Sequence, residues 1–386
     1  MSEEIIAAIE APRRAAGLVG HAPAARLLAD AWQGGRLAHG WLVAGPQGIG
    51  KATLAWRFAR TVLAVRPAGE GLATDPADPG ARQVIAGSHP DMRLVRRSHA
   101  RKAPYNFRTE IAVDDIRDLG PFLHQTAARG GWRVIVVDAA DDMNRNAQNA
   151  LLKLLEEPPA RTVFLLVAHA PSRLLPTIRS RCRTLLLRPL ADADVLAVLE
   201  ERRAAAQAAL AEAVDEEGVL ARTGLPTEAA KAVAGLDDAT MAGLARLADG
   251  APGRALALAA AGGLAVYAEM MTLLGTLPAL DGKRLAATTD RFGGNAGEPA
   301  FRAFADLVQW WLSRAVRAAA CGERPPEIVA GEEAVRARLL GLAAPAAWAE
   351  AAERLATLFA RGDGLNLDRK QLAMDAVFTL AETVRR

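Results

Sequence analysis

The clearest chemical signal in the chain is Gly45-Pro46-Gln47-Gly48-Ile49-Gly50-Lys51-Ala52-Thr53. The spacing G-x-x-x-x-G-K leaves backbone N–H groups at a helix N-terminus free to surround phosphate oxygens, with a lysine as point charge. Gly45, Gly48, Gly50 and Lys51 are therefore candidate phosphate ligands. The position after the lysine ordinarily carries a Ser or Thr hydroxyl that ligates Mg²⁺, and here it is Ala52. Thr53 is the nearest substitute, but on a helix it is turned by roughly 100° from the ligand position and serves only if the loop shifts. Such a loop can hold phosphate poorly, or hold nucleotide without turning it over. A second candidate, Asp138, ends the apolar run Val134-Ile135-Val136-Val137, where a carboxylate meets the Mg²⁺ of a nucleotide site. The next position should hold a glutamate to activate water and holds Ala139, so no general base is available there. Asp141, three residues on, is read as the cap of the following helix.

These residues need a strand, a glycine loop and a helix in succession. Trp41–Ala44 is the expected strand and Leu54–Ala59 the expected helix. Arg133–Asp138 and Thr162–Val167 read as strands buried on both faces of a parallel sheet, because their β-branched and apolar runs do not alternate with polar residues. Asn146–Glu157 reads as a helix stopped by Pro158-Pro159. Residues 1–40 read as helix, loop, helix, and 66–80 as an exposed loop. A basic run follows, with Arg93, Arg96, Arg97, Arg101, Lys102 and Arg108; its acidic neighbours favour a solvated loop or hairpin over a DNA- or partner-facing surface. Arg179, Arg181 and Arg183 fall in a short exposed turn. Small helices are expected over Asp192–Leu210, Glu228–Gly235, Thr240–Ala248 and Arg254–Ala261. Beyond residue 263 the apolar residues keep helical spacing, as in Phe301–Leu312, with Met270-Met271 and Trp310-Trp311 as packing residues and Arg291–Pro299 as a loop.

A chain of 386 residues exceeds one ordinary core, so two or three domains are expected. A hydrophobic content of 51% is ample for burial, and a net charge of +3 permits nucleic-acid contact without arguing for it. Cys182 and Cys321 cannot make a four-cysteine zinc site or a disulfide framework. The start, Met1-Ser2-Glu3-Glu4, lacks a signal-peptide pattern, and no apolar run approaches the roughly 20 residues that cross a membrane. The expectation is a cytoplasmic protein without membrane contact.

The series Gly45–Lys51, Val134–Asp138, Asn149-Ala150-Leu151-Leu152-Lys153-Leu154-Leu155-Glu156-Glu157-Pro158-Pro159 and Ser180-Arg181-Cys182 resembles the clamp-loader branch of the AAA+ ATPases. The resemblance rests on motifs from about residue 15 to 260 and on order and length beyond. It implies an α/β AAA+ P-loop parallel-sheet domain (1–187), a small helical lid (188–262) and a C-terminal all-α collar domain (263–386). It also implies that Arg181, at the S-R-C position, reaches a neighbouring subunit's ATP site as an arginine finger, and that Arg254, in Gly250-Ala251-Pro252-Gly253-Arg254, holds the sensor-2 position. The sensor-1 threonine of active relatives falls near Ala168-His169. With Ala52 and Ala139, this departure implies a largely non-hydrolysing subunit with at most weak ATP binding, whose polymerase holoenzyme owns the DNA-directed DNA polymerase activity. Implied partners are tau/gamma-type and delta subunits in a hetero-oligomer, and through them the sliding clamp and primed DNA. Many relatives carry a four-cysteine zinc module between the two phosphate-site motifs; this chain has no cysteine there, and no zinc is expected. The rival readings are an active AAA+ motor using Thr53 and a displaced acid, and a nucleic-acid-binding module built on the basic run.

Overall fold

The computed structural model describes residues 12–15, 17–66, 71–97, 108–128, 131–212, 215–294, 296–365 and 367–385. The chain divides into two compact units, residues 1–227 with 249–254, and residues 228–248 with 255–386.

In the first unit, β1 (Gly40–Ala44), β2 (Met92–Val95), β3 (Arg133–Asp138), β4 (Thr162–Ala168) and β5 (Arg183–Leu186) form a parallel sheet in the order β2-β3-β4-β1-β5. Parallel neighbours need long crossovers, and helices supply them on both faces. Alternation along each strand divides the core. Trp41, Val43, Val134, Val136, Val163 and Leu165 face α1 (Ala22–Gln33), α2 (Lys51–Leu63) and α3 (Pro79–Ala86) through Leu28, Leu54, Phe58 and Val84. Leu42, Ala44, Ile135, Val137, Phe164 and Leu166 face the opposite layer. That layer comprises α4 (Val113–Arg117), α5 (Leu119–His124), α6 (Arg145–Glu156) and α7 (Pro176–Arg181), through Ile116, Phe122, Leu151, Leu155 and Ile178. The unit continues with α8 (Asp192–Ala211) and α9 (Glu216–Thr223).

The strand order matters more than the strand count. After β1 the chain crosses to the far edge at β2, returns through β3 and β4 to β1, and only then adds β5 on the other side. Such a reversal opens a crevice at the carboxyl ends of the strands. Register sharpens it: Ala44 of β1 is level with Ala168 of β4, and Asp138 of β3 with Val167 of β4. The phosphate loop, Asp138 and His169 therefore leave the sheet at the same edge.

The second unit is all-helical among its described residues: α10 (Thr227–Ala234), α11 (Asp238–Leu247), α12 (Pro252–Ala260, starting in the first unit), α13 (Gly263–Leu274), α14 (Gly282–Asp290), α15 (Glu298–Cys321), α16 (Glu332–Leu342), α17 (Pro345–Leu365) and α18 (Arg369–Arg385). Its core packs α15 against α17 and α18, with Phe304, Leu307, Trp311, Trp348, Leu355 and Leu380 buried. This is the parallel α/β sheet followed by an all-α C-terminal region that the resemblance implies.

Several local expectations change. Arg93 lies on β2, not in a loop, and its guanidinium stacks 4.3 Å from the Phe122 ring. The arginine-rich turn after Leu175 is the helix α7 followed by edge strand β5. Helix α9, capped by Asp215 accepting from Gly218 N, has no counterpart in the sequence reading. Within the expected exposed loop at 66–80, Asp78 is buried and accepts from the N–H groups of Val65, Arg66 and Ala81. Glu298 and Pro299, read as loop, open α15. The first helix expected in residues 1–40 falls largely outside the described residues, as do Arg101 and Lys102.

Candidate functional site

The loop between β1 and α2 has its glycines where only glycine fits. Gly45, Gly48 and Gly50 have φ of 147°, 79° and 99°. A methyl on Gly45 would meet the Leu187 carbonyl oxygen at 2.5 Å. Gly50 caps α2 in a left-handed conformation, and no side chain caps the helix. Its first-turn N–H groups are thus left for an external acceptor. His21 supports the loop from behind, its Nε2 donating to Ile49 O at 2.6 Å. Across the loop, Gly253 N donates to Gly48 O at 2.8 Å, which brings the backbone of Arg254 against the loop. The backbone of Arg254 therefore lies beside the phosphate loop.

Lys51 is 3% exposed, and its ammonium donates to Pro46 O at 2.5 Å. Burial pushes its pKa down to about 8, with Asp138 and Asp141 opposing that shift. Asp138 responds in the opposite sense: burial raises its carboxyl to about 6 against the pull of Lys51, with Asp142 and Asp141 adding to the rise and Arg96 opposing it. Asp142 is raised by burial too, while Arg97, 3.3 Å away, holds it down. Within the described part of the basic run, Arg96 and Arg97 act on site carboxylates and Arg108 pairs with Asp115 at 3.5 Å, while Arg93 and Arg97 remain exposed.

Asp141 does not cap α6. That cap is Asn144, accepting from Ala147 N at 2.9 Å. Asp141 sits in a short turn, Ala140–Asp142, and accepts from the backbone of His169 at 2.9 Å and Ala170 at 2.8 Å. Burial works to raise its pKa, but these bonds outweigh burial and leave it lowered. The residue thereby ties the exit of β4 to the exit of β3. His169 Nδ1 is buried without a hydrogen-bond partner, and burial, reinforced by the charge of Lys51, lowers the ring's pKa.

Phosphate is the group this loop implies, and the residues fit one. An uncapped helix start, a desolvated ammonium whose present partner is a neutral carbonyl, and an orphaned ring nitrogen all lack an acceptor or a charge that phosphate oxygens supply. The metal half does not fit as well. Ala52 offers a methyl where the hydroxyl belongs, Thr53 follows half-buried one step round α2, and Ala139 is buried.

Arg181 is elsewhere. It ends α7, two residues before β5 begins, and its carbonyl lies 3.3 Å from where a methyl on Gly40 would sit. Gly40 begins β1, whereas the phosphate loop follows its end; four steps at about 3.3 Å separate the two edges by about 13 Å. The guanidinium donates to Thr177 O at 3.1 Å and pairs with Glu156 at 2.9 Å. Of the candidates, Gly45, Gly48, Gly50, Lys51, Asp138 and Arg254 come together at one edge; Arg181 does not join them.

Residues 20–191 match the family described as DNA polymerase III, delta subunit. DNA polymerase III subunit delta′ of Pseudomonas aeruginosa is 46% identical over 151 residues, 39% of this chain and 43% of that protein. The chain resembles DNA polymerase III subunit delta-prime. The delta′ of Escherichia coli is 36% identical over 162 residues, covering 42% of this chain and 46% of that protein. The tau subunit of Salmonella typhimurium is more distant, 31% identical over 184 residues, 47% of this chain and 26% of tau. The matches thus span less than half the length of the delta-prime relatives. A gamma subunit-related protein of Thermotoga maritima superimposes with a TM-score of 0.41 at 16% identity, covering 93% of this chain and 99% of that one.

Sequence reasoning missed three supporting residues: His21, Asp141 in its observed role, and Glu156. Only the third left a trace, as an acid in the Glu156-Glu157 pair ahead of the prolines; the other two act through backbone contacts at long sequence separation.

Proposed function

We propose that this chain is a delta-prime-like subunit of a DNA polymerase III clamp loader that hydrolyses little ATP itself and supplies Arg181 to the ATP site of an adjoining tau/gamma-type subunit. Its partners on this reading are tau/gamma and delta subunits, with the sliding clamp and primed DNA engaged through the assembly in the cytoplasm. The observation that carries the reading is the separation of Arg181 from its own phosphate loop, at opposite ends of β1. An arginine that cannot reach the phosphates of its own subunit is available to those of another. A guanidinium suits that task, because its fixed fork of donors matches charge spread over a transferring phosphoryl group.

The chain's own site works differently. Lys51 and the α2 N-terminus can hold phosphate oxygens, and the orphaned His169 nitrogen faces the same electrostatic neighbourhood. Without a hydroxyl at Ala52 or an acid at Ala139, neither the metal nor the attacking water is positioned. The site retains a nucleotide-binding shape and loses turnover. The three-part division at residues 187 and 262 remains part of this proposal, as does the absence of zinc.

The test is ATP hydrolysis by the isolated chain beside its Lys51→Ala form. Equal background rates are expected from both. Turnover that disappears with Lys51 would identify an active motor and overturn the reading.

A further inference from the structure

The guanidinium of Arg181 is folded back onto its own subunit. Nη1 donates to the carbonyl of Thr177 one turn earlier on α7, and Nη2 lies 2.9 Å from Oε1 of Glu156, the last residue of α6. Both carriers are fixed. Gln148, buried in α6, donates to Met143 O at 3.0 Å and accepts from Leu175 N at 2.8 Å, just before α7 begins. Ile178, Leu151 and Leu155 share the apolar layer beneath. The two helices form a fixed frame, and the paired side chains on it are 37% and 43% exposed and so free to change rotamer.

An ion pair this exposed is weak, contributing about 0–1 kcal/mol. A polyphosphate offers several charged acceptors to the same guanidinium and competes strongly. We propose that Glu156 holds Arg181 retracted in the free subunit and releases it to the phosphates of a nucleoside triphosphate presented by an adjoining subunit. Glu156 is thus a positioning residue acting through Arg181. The inference rests on the reading of Arg181 as a finger in trans. The neutral Thr177 carbonyl remains as a second, charge-independent hold, so removing Glu156 loosens the arginine without scattering it.

The test is ATP hydrolysis at subsaturating ATP by a clamp loader reconstituted with the wild-type chain, Glu156→Gln, Arg181→Ala or the double variant. Glu156→Gln is expected to raise the rate by about two- to fivefold at low salt, the range an exposed pair supports. The gain should shrink as salt screens the pair. The double variant should run at the Arg181→Ala rate, because the gain requires the arginine. In the isolated chain, the Arg181 Nη2 protons should exchange faster with water in Glu156→Gln, while thermal unfolding is unchanged. An unchanged or lower rate in Glu156→Gln, with Arg181→Ala still slow, overturns the retraction and leaves the finger standing. No effect of Arg181→Ala overturns the finger itself.

Discussion

The two ends of β1 handle charge in opposite ways. At the phosphate-loop end Lys51 is buried with a neutral carbonyl as its partner and Asp138 is half-buried, and burial drives the lysine down to about 8 and the aspartate up to about 6. At the other end Arg181 and Glu156 pair in the open. A desolvated, unpaired charge costs stability and is relieved by a ligand; an exposed pair costs little and changes partners easily. On the proposed function, one end receives an anion and the other delivers a cation. Helix α6 joins them, beginning at Asn144 beside the Asp141 turn and ending at Glu156, about 18 Å along its axis.

The comparison can be broken at each end. Asp141→Ala should be the most damaging change, because it strands the N–H groups of His169 and Ala170 in a half-buried site; a loss of about 3 kcal/mol is expected in denaturant unfolding. A loss under about 1 kcal/mol would mean that Asp141 does not brace the crevice. Lys51→Met should act in the reverse sense. Folding lowers the lysine's proton affinity, so its charge penalises the folded state as pH falls from about 10.5 through 8. Removing the charge should add up to about 3 kcal/mol at pH 7, and a lower melting temperature would contradict the desolvated picture.

Asp138 and Asp141 should give opposite pH slopes although three residues apart. Asp138 has its pKa raised from 3.8 to about 6, so its contribution falls as pH rises between those values, and Asp138→Asn should flatten that slope. Asp141 is lowered, so its contribution is present above about 4 and is lost as pH falls further. Unfolding free energies across pH 3–7 for the two asparagine variants separate these slopes. The smallest effect belongs to the exposed end: Glu156→Gln should change global stability by less than about 1 kcal/mol. A larger loss would make that pair structural.

Most of this contrast was legible at one end only. The glycine spacing before Lys51 and the apolar runs of β3 and β4 are local patterns, and they placed the phosphate loop and Asp138 correctly. Edge strands β2 and β5 were hidden because each pairs on one side and carries an arginine whose guanidinium stacks on an aromatic ring, Arg93 on Phe122 and Arg183 on Trp41. The role of Asp141 depends on backbone groups 28 and 29 residues away, which no local pattern announces. Arg181 was marked by its S-R-C motif, but only the strand order places it across the sheet from Lys51.

That placement is tested most directly by single-turnover ATP hydrolysis in a reconstituted clamp loader containing the wild-type chain or Arg181→Ala. A finger in trans predicts a loss of about a thousandfold at the one site it serves, with assembly intact. Equal rates at every site would contradict it.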